Sequence, residues 1–385
     1  MQFASEKSKI IGVVIIGSLL LLALHMYANW NGLGLTDDSY AYLNQAKFFS
    51  ETGSFHKGEV HPLFPFQTFL IMVLSIFADS NAGLNSMNII NACLLIGNFV
   101  LLVIVASKVL LRFVNVLLFA LVLVCSTPLL LVHSFLWTEP FFIFSISILL
   151  LLIIKHIRKQ SFITYAGFVF LFALLFLQRK AGLLFFVGTG LGFILFLNPW
   201  PLRWKTITIA GCILLIIIFF QFDLVVELPL IANFWETAIN YFDFLSAWLL
   251  PLNFPMWLRV SVLIIILSFI GMSIFRYNNE EKNSEFLKIL VVVFMTYCII
   301  RLFYFRPDPS EVDRYLAPVF SIFFILLIAS IERMLRNSSL GVKRLATAFF
   351  LLWLLYPIVR TVKNANLWHS RHPVELSELS ENQKI

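Results

Sequence analysis

Long apolar runs separated by short polar segments recur along this chain. Runs of about 20 apolar residues are typical of membrane-spanning helices. Their apolar character is continuous rather than alternating, which favours helices over a barrel. The pattern therefore predicts an all-α polytopic membrane protein. We place about eleven full spans at residues 10–29, 87–107, 113–133, 138–154, 161–178, 181–197, 206–222, 258–275, 286–304, 314–332 and 345–362.

Positive charge in the short loops predicts the orientation of these spans. Lys7 and Lys9 put the N-terminus in the cytoplasm, and the basic loop 108–112 also belongs there. Only one of the segments 63–78 and 87–107 can then cross the membrane. Segment 63–78 is short and proline-bearing, so we expect it to be interfacial or re-entrant. The prediction is an N-terminus inside and a C-terminus outside.

The polar segments divide the chain without marking a second domain. We expect one membrane domain over residues 1–362, with outside loops at 30–62 and 223–257, and a short polar tail at 363–385. A short juxtamembrane helix, from about Ser39 to Ser50, should follow the first span.

Composition agrees with this interpretation. Hydrophobic residues make up 60% of the chain and charged residues 13%, about half the share in an ordinary globular domain. The net charge of +7 fits basic cytoplasmic loops better than nucleic-acid binding. Membrane lipids are the expected surroundings. Each of the four cysteines lies in an apolar run and is expected to serve packing, namely Cys93, Cys125, Cys212 and Cys298.

The first outside loop carries the adjacent acids Asp37 and Asp38. Two neighbouring carboxylates repel each other, so one can hold a proton or both can hold a cation. A carboxylate here can act as a general base towards a hydroxyl. The structural alternative is that these acids and Thr36 begin a helix, where negative charge favours the helix dipole. Both interpretations can hold together.

A further acid, Glu139, opens a span at the level predicted for Asp37. The sequence Thr138-Glu139-Pro140 is also a good helix start, so function and capping are equally open. A divalent metal is a third hypothesis for this face: His61, with Asp37, Asp38 and Glu139, offers ligand types without a tight metal spacing. The alternative for His61 is a solvated loop.

Three cations are predicted on the outside face, where positive charge is disfavoured: Arg179, Lys180 and Arg314. Arginine and lysine bind phosphate oxygens, which is one reason for such a placement. Snorkelling to lipid headgroups is the alternative for the first two. Ion pairing within the loop before Arg314 is the alternative for the third.

Five short motifs occur in order: the acidic pair after span one, "VHPLFPF", "TEP", "QRKAGLLF" and "DRYLAPV". Together they resemble the GT-C glycosyltransferases, in particular the branch of protein O-mannosyltransferases and the aminoarabinose transferase of lipid A. The resemblance covers roughly residues 10–330 and implies a GT-C-like bundle. It departs in having Asp-Asp where many members have Asp-Glu, and one proline after His61 rather than two.

The resemblance implies sugar transfer from a polyprenyl-phosphate donor at the outer, periplasmic or luminal face, with the bacterial inner membrane as the expected location. Asp37 would be the general base and Asp38 its support, the choice between them staying open. Arg179, Lys180 and Arg314 would grip the donor phosphate. A lipid or glycan acceptor is favoured over a protein. Cavity positions are implied at Tyr40, His61, Glu139 and Tyr315.

Two other classes compete with this expectation. A transporter or flippase of a lipid-linked sugar should show repeats and polar breaks at the bilayer midplane, whereas the charges here sit at span ends. A scaffold without activity gives no reason for cations on the outside face.

Overall fold

The computed structural model describes residues 2–55, 67–76, 81–197, 205–206, 209, 211, 234–276, 283–304 and 311–371. Within these ranges the protein is all-α, and an isolated parallel bridge between Gly34 and Phe135 accompanies the helices. The fourteen helices of the described ranges are α1 (Gln2–Ala28), α2 (Asp37–Thr52), α3 (Thr68–Ser75), α4 (Asn81–Val109), α5 (Phe113–Val124), α6 (Thr127–His133), α7 (Glu139–Arg158), α8 (Phe162–Gln178), α9 (Gly182–Phe196), α10 (Phe234–Ser246), α11 (Met256–Arg276), α12 (Ser284–Tyr304), α13 (Val312–Met334) and α14 (Leu340–His369).

Six of these helices are long and apolar enough to cross a membrane, or seven if the pair α5–α6 forms one span. Multiple long apolar helices indicate a multi-pass integral membrane protein. The predicted count of about eleven crossings is larger. Part of the difference lies in α8 and α9, which have 17 and 15 residues and are therefore only about 22–26 Å long. Most of the predicted span 206–222 falls outside the described residues.

The predicted span 113–133 is not straight. It consists of α5 and α6, which meet at a 48° bend. Pro128 lies at the start of α6 and has no N–H to continue the ladder from α5. The Ser126 hydroxyl instead accepts a hydrogen bond from the Leu129 N–H at 3.2 Å, which caps the new helix.

Helix α13 is the centre of the bundle. Of its most apolar window, 94% is buried inside the protein, against 17% for α1 and 11% for α14. Helices α5, α6, α7, α11 and α12 pack around it. Polar groups near the ends of α13 are therefore held by protein on all sides, whereas α1 and α14 leave most of their apolar surface for lipid.

The predicted helix after the first span is confirmed as α2, which begins at Asp37 and packs on α3. The eight residues of α3 extend about 12 Å, too short to cross a bilayer. Tyr42 of α2 and Leu136 of the α6–α7 connection share a small core with α3. This core attaches α2 to one end of the bundle.

The last helix extends beyond the predicted span 345–362. Helix α14 continues through Lys363 to His369. Its last turns are held by the end of α1, because the Tyr27 hydroxyl donates to Asn366 at 2.8 Å and the His369 ring stacks on Tyr27 at 4.3 Å between centroids. Two aromatic and polar contacts therefore keep this charged segment helical.

Candidate functional site

Four helix ends meet on the α2 side of the bundle. They are the N-termini of α2, α7 and α13 and the C-terminus of α8. Each contributes one charged side chain near its end: Asp38, Glu139, Arg314 and Arg179. We call these four residues, together with Glu311, which directly precedes α13, the charged cluster.

Arg314 is the organising residue of the charged cluster. Its side chain is 1% exposed and contacts three carboxylates. Nη1 lies 2.7 Å from Asp38 Oδ2 and 3.1 Å from Glu311 Oε1, and Nε lies 2.5 Å from Glu139 Oε1. A guanidinium buried this deeply requires such compensation, because an unpaired buried charge is very costly.

Glu139 joins the two arginines of the cluster. Its side chain is fully buried, and its Oε1 also forms an ion pair with Arg179 Nη1. Thr138 is the N-cap residue of α7, but its hydroxyl makes no capping hydrogen bond and instead contacts Glu139 and Arg179 at 3.3 and 3.4 Å. Glu139 therefore begins a helix and bridges two cations, without a side-chain cap from Thr138.

The two neighbouring aspartates differ in their surroundings. Asp38 is ion-paired with Arg314 while its side chain stays 47% exposed. Asp37 is exposed, and the described part of the chain supplies no ion-pair partner for it. They are the first two residues of α2, with Thr36 as N-cap. The two aspartates therefore begin a helix, and Asp38 also contacts Arg314 of the charged cluster.

Aromatic rings line the arginines. Three guanidinium carbons lie within 5.5 Å of the centre of the Tyr315 ring, those of Arg179, Arg301 and Arg314 at 5.5, 5.2 and 5.5 Å. The Tyr315 hydroxyl donates to Glu311 Oε2 at 2.9 Å. Arg314 also lies 4.2 Å from the centre of the Trp137 ring. Cation–π contacts offset part of the cost of burying these charges.

Trp137 is fixed by the helix start of α2. Its indole N–H donates to Thr36 Oγ1 at 2.9 Å, and its ring stacks on Phe135 with centroids 4.5 Å apart. Ser39 donates to the Leu136 carbonyl at 2.9 Å and accepts from the Thr36 N–H at 3.0 Å. The α6–α7 connection and the start of α2 thus form one unit.

Burial and neighbouring charge set the protonation of this region. Burial raises the pKa of the Tyr42 hydroxyl, as does Asp38, while Arg314 opposes the shift. Burial, with the charge of Arg314, lowers the pKa of Arg179 to about 10, while Tyr42 opposes that shift. Arg179 is therefore a cation and Tyr42 a neutral hydrogen-bonding group at neutral pH.

The structure places the other predicted site residues less centrally. Lys180 follows Arg179 and is partly exposed, and Tyr40 is partly exposed on α2. His61 lies outside the described residues. Within the described ranges, no three histidine, cysteine or acidic side chains come together as metal ligands. Glu139 fits a divalent cation poorly, because two guanidinium groups already hold its carboxylate.

Three residues near the cluster escaped the sequence reasoning. Tyr42 follows Asp38 by four positions and therefore shares its helical face, a signal that was present in the sequence. Trp137 lies two residues before Glu139 and resembled an ordinary interfacial aromatic. Arg301 is buried on α12, one turn after Tyr297, over whose ring it lies at 5.5 Å. Nothing in the local sequence relates Arg301 to residues 179 or 314.

This geometry favours binding of an oxyanion. Two arginines share one buried carboxylate, and the other two acidic partners of Arg314, Asp38 and Glu311, are partly exposed. Helix N-termini add positive potential at the same place. An anionic ligand can thus replace an exposed carboxylate on Arg314 while Glu139 keeps both guanidinium groups in place. No protein-family model matches this chain, and no curated protein matches it.

Proposed function

We propose that the protein is a membrane glycosyltransferase of GT-C type that moves a sugar from a polyprenyl-phosphate donor to a hydroxyl acceptor. The observation that carries the proposal is the buried pair Arg179 and Arg314, which share the carboxylate of Glu139. Arg314 also pairs with Asp38, and the exposed acid Asp37 is the residue before Asp38. A phosphate site and a proton acceptor then lie side by side, as such a transfer requires. The motif order described above supports the same class.

The reaction is a single displacement at the anomeric carbon. The acceptor oxygen forms a bond to that carbon, and its proton passes to an aspartate. The bond from the carbon to the phosphate oxygen breaks, and the polyprenyl phosphate leaves with the electron pair. Arg314 and Arg179 stabilise the growing negative charge. One displacement inverts the anomeric centre.

Asp37 is our preferred general base. Proton uptake by Asp38 would cost it the ion pair with Arg314, whereas Asp37 has no described ion pair to lose. Asp38 then keeps α2 docked against the cluster, one residue from the base. His61 and Lys180 stay candidates for the cavity and the donor phosphate.

The orientation follows the charge distribution of the loops. The charged cluster faces the outside of a multi-pass protein whose N-terminus is cytoplasmic. Asp37 begins α2, and Lys159 follows the C-terminal end of α7. Both positions are exposed, and they lie at opposite ends of the bundle. In a variant without the native cysteines, Asp37→Cys should react with an impermeant maleimide in intact cells, and Lys159→Cys should react only after lysis. The reverse pattern contradicts the outside site.

The decisive test compares the lipids and glycans of cells that carry the wild type or Asp37→Ala by mass spectrometry. We expect a sugar-modified product with the wild type and none with the variant. Glu51→Ala, which changes an exposed acid on the same helix, is the matched control and should keep the product. Product formation by a folded Asp37→Ala protein contradicts the proposal. Flux of a lipid-linked sugar in liposomes without donor consumption would favour a flippase instead.

A further inference from the structure

A series of ring and cation–π contacts connects the charged cluster with Arg371, the second residue after α14. The Arg371 guanidinium carbon lies 4.5 Å from the centre of the Phe135 ring. Phe135 stacks on Trp137 at 4.5 Å with an interplanar angle of 11°, and Arg314 lies 4.2 Å from the Trp137 ring centre. Each ring has two faces, and one face of each is taken by the other ring. The two stacked rings therefore each carry one arginine, Arg371 on Phe135 and Arg314 on Trp137.

Four further contacts hold Arg371 in this position. Its Nη1 donates to the Ser134 carbonyl at 3.2 Å and its Nε to the Trp368 carbonyl at 3.1 Å. The Arg371 carbonyl accepts from Asn31 Nδ2 at 2.8 Å. Its guanidinium also lies 5.9 Å from the Trp368 ring. Burial lowers the pKa of Arg371 to about 10, so the side chain is charged at neutral pH.

Gly34 makes room for this arrangement. A Cβ atom at Gly34 would collide with Nη1 of Arg371 and would lie 2.5 Å from the Phe135 ring. The Gly34 N–H donates to the Ser134 carbonyl at 2.9 Å, and the Leu136 N–H donates to the Gly34 carbonyl at 3.0 Å. The segment before α2 and the α6–α7 connection are thus paired directly beneath Arg371.

We propose that Arg371 is a positioning residue, which fixes Phe135 and Trp137 and through them sets the orientation of Arg314. Arg371 touches no residue of the charged cluster in the described contacts, and the two rings join its guanidinium to that of Arg314. A planar cation with several donors suits this role, because it stacks on one ring while bonding backbone carbonyls on either side. Lysine retains the charge but cannot do both.

The first measurement reads Trp137 directly and needs no ligand. Protein labelled with 5-fluorotryptophan is examined by fluorine NMR, and the Trp137 signal is identified by its loss in Trp137→Phe. We expect Arg371→Leu to shift this signal and to leave that of the exposed Trp257 in place. Arg371→Lys should give a smaller shift. Arg344→Leu, an exposed position at the other end of α14, is the matched control and should shift neither signal.

The second measurement rests on the proposed function, because it follows binding of a polyprenyl phosphate to the detergent-purified protein. Arg371→Leu should weaken binding about three- to tenfold. In a Trp137→Leu background the same change should have almost no further effect, since the link is already broken.

The outcomes separate the two proposals. An unmoved Trp137 signal in a folded Arg371→Leu protein overturns the positioning role. Equal losses of affinity in the wild-type and Trp137→Leu backgrounds also overturn it, because Arg371 would then act by another route. A shifted Trp137 signal in a protein whose wild type binds no polyprenyl phosphate supports the positioning role and counts against the proposed function.

Discussion

The two ends of helix α13 each bury a charge, and they do so in different ways. At the end near Met334, both Glu332 carboxylate oxygens accept from neutral donors. These are the backbone N–H groups of Leu111 and Arg112, both at 2.9 Å, and the Asn115 side chain at 2.7 Å. At the other end, Arg314 contacts three carboxylates.

The difference lies in how easily the partners of each charge can be exchanged. The donors around Glu332 belong to the α4–α5 turn and to the first turn of α5, so they cannot leave Glu332 without opening that turn. Two partners of Arg314, Asp38 and Glu311, are partly exposed side chains that a ligand oxyanion can replace. The same helix thus carries a carboxylate held by a turn at one end and an arginine with two partly exposed acidic partners at the other.

The largest expected effect comes from Glu139→Gln. The substitution leaves Arg179 and Arg314 buried together without their shared anion, so the free energy of unfolding should fall by about 3–5 kcal/mol. Thermal unfolding in detergent measures the loss. The exposed Glu51→Gln is the control and should change little. A Glu139→Gln protein as stable as the wild type would mean that Glu139 does not compensate both arginines.

The next largest effect is expected at Glu332. Glu332→Gln puts an amide group where the carboxylate accepted from a backbone N–H, which should cost about 1–3 kcal/mol of unfolding free energy. Binding of pyrophosphate or polyprenyl phosphate should be unchanged. The exposed Glu6→Gln at the start of α1 serves as control. If Glu332→Gln changed anion binding and left the stability unchanged, Glu332 would not have the purely structural role that distinguishes it from Arg314.

The third prediction concerns the shape of the cation. Arg314→Lys keeps the charge but loses the fork that reaches Asp38 and Glu139 at once. Affinity for pyrophosphate, followed by titration calorimetry, should fall roughly tenfold, the value expected for one lost charged hydrogen bond. The exposed Arg344→Lys should bind like the wild type. Unchanged affinity in Arg314→Lys would show that the ligand needs only a positive charge.

The smallest effect on stability should come from Asp38→Asn. Its ion pair with Arg314 is half-exposed, and such pairs contribute less than about 1 kcal/mol. Because the substitution removes an anion that competes for Arg314, pyrophosphate affinity should rise. Asp37→Asn is the comparison and should leave both quantities unchanged. A weaker affinity in Asp38→Asn would show that Asp38 supports the ligand rather than competes with it.

Periodicity and punctuation in the sequence located most helices within a few residues. The span predicted at 314–332 is α13, and the span predicted at 138–154 is the first part of α7. The bend between α5 and α6 escaped prediction, because apolar periodicity continues through Pro128 while the hydrogen-bond ladder does not. The extension of α14 to His369 escaped for the opposite reason: its polar last turns are stabilised by α1 rather than by their own sequence.

The sequence by itself determined that this is an apolar, all-α chain, since burying 60% hydrophobic residues leaves few other arrangements. The fold brings Asp38, Glu139, Arg179 and Arg314 together at one end of the bundle, while their roles stay proposals. Only the tertiary structure decided which aspartate is ion-paired, that Arg301 joins the arginines, and that Arg371 reaches the cluster through two rings. These relations connect residues up to 276 positions apart, as in the pair Asp38 and Arg314, and no local periodicity encodes which side chains meet over such distances.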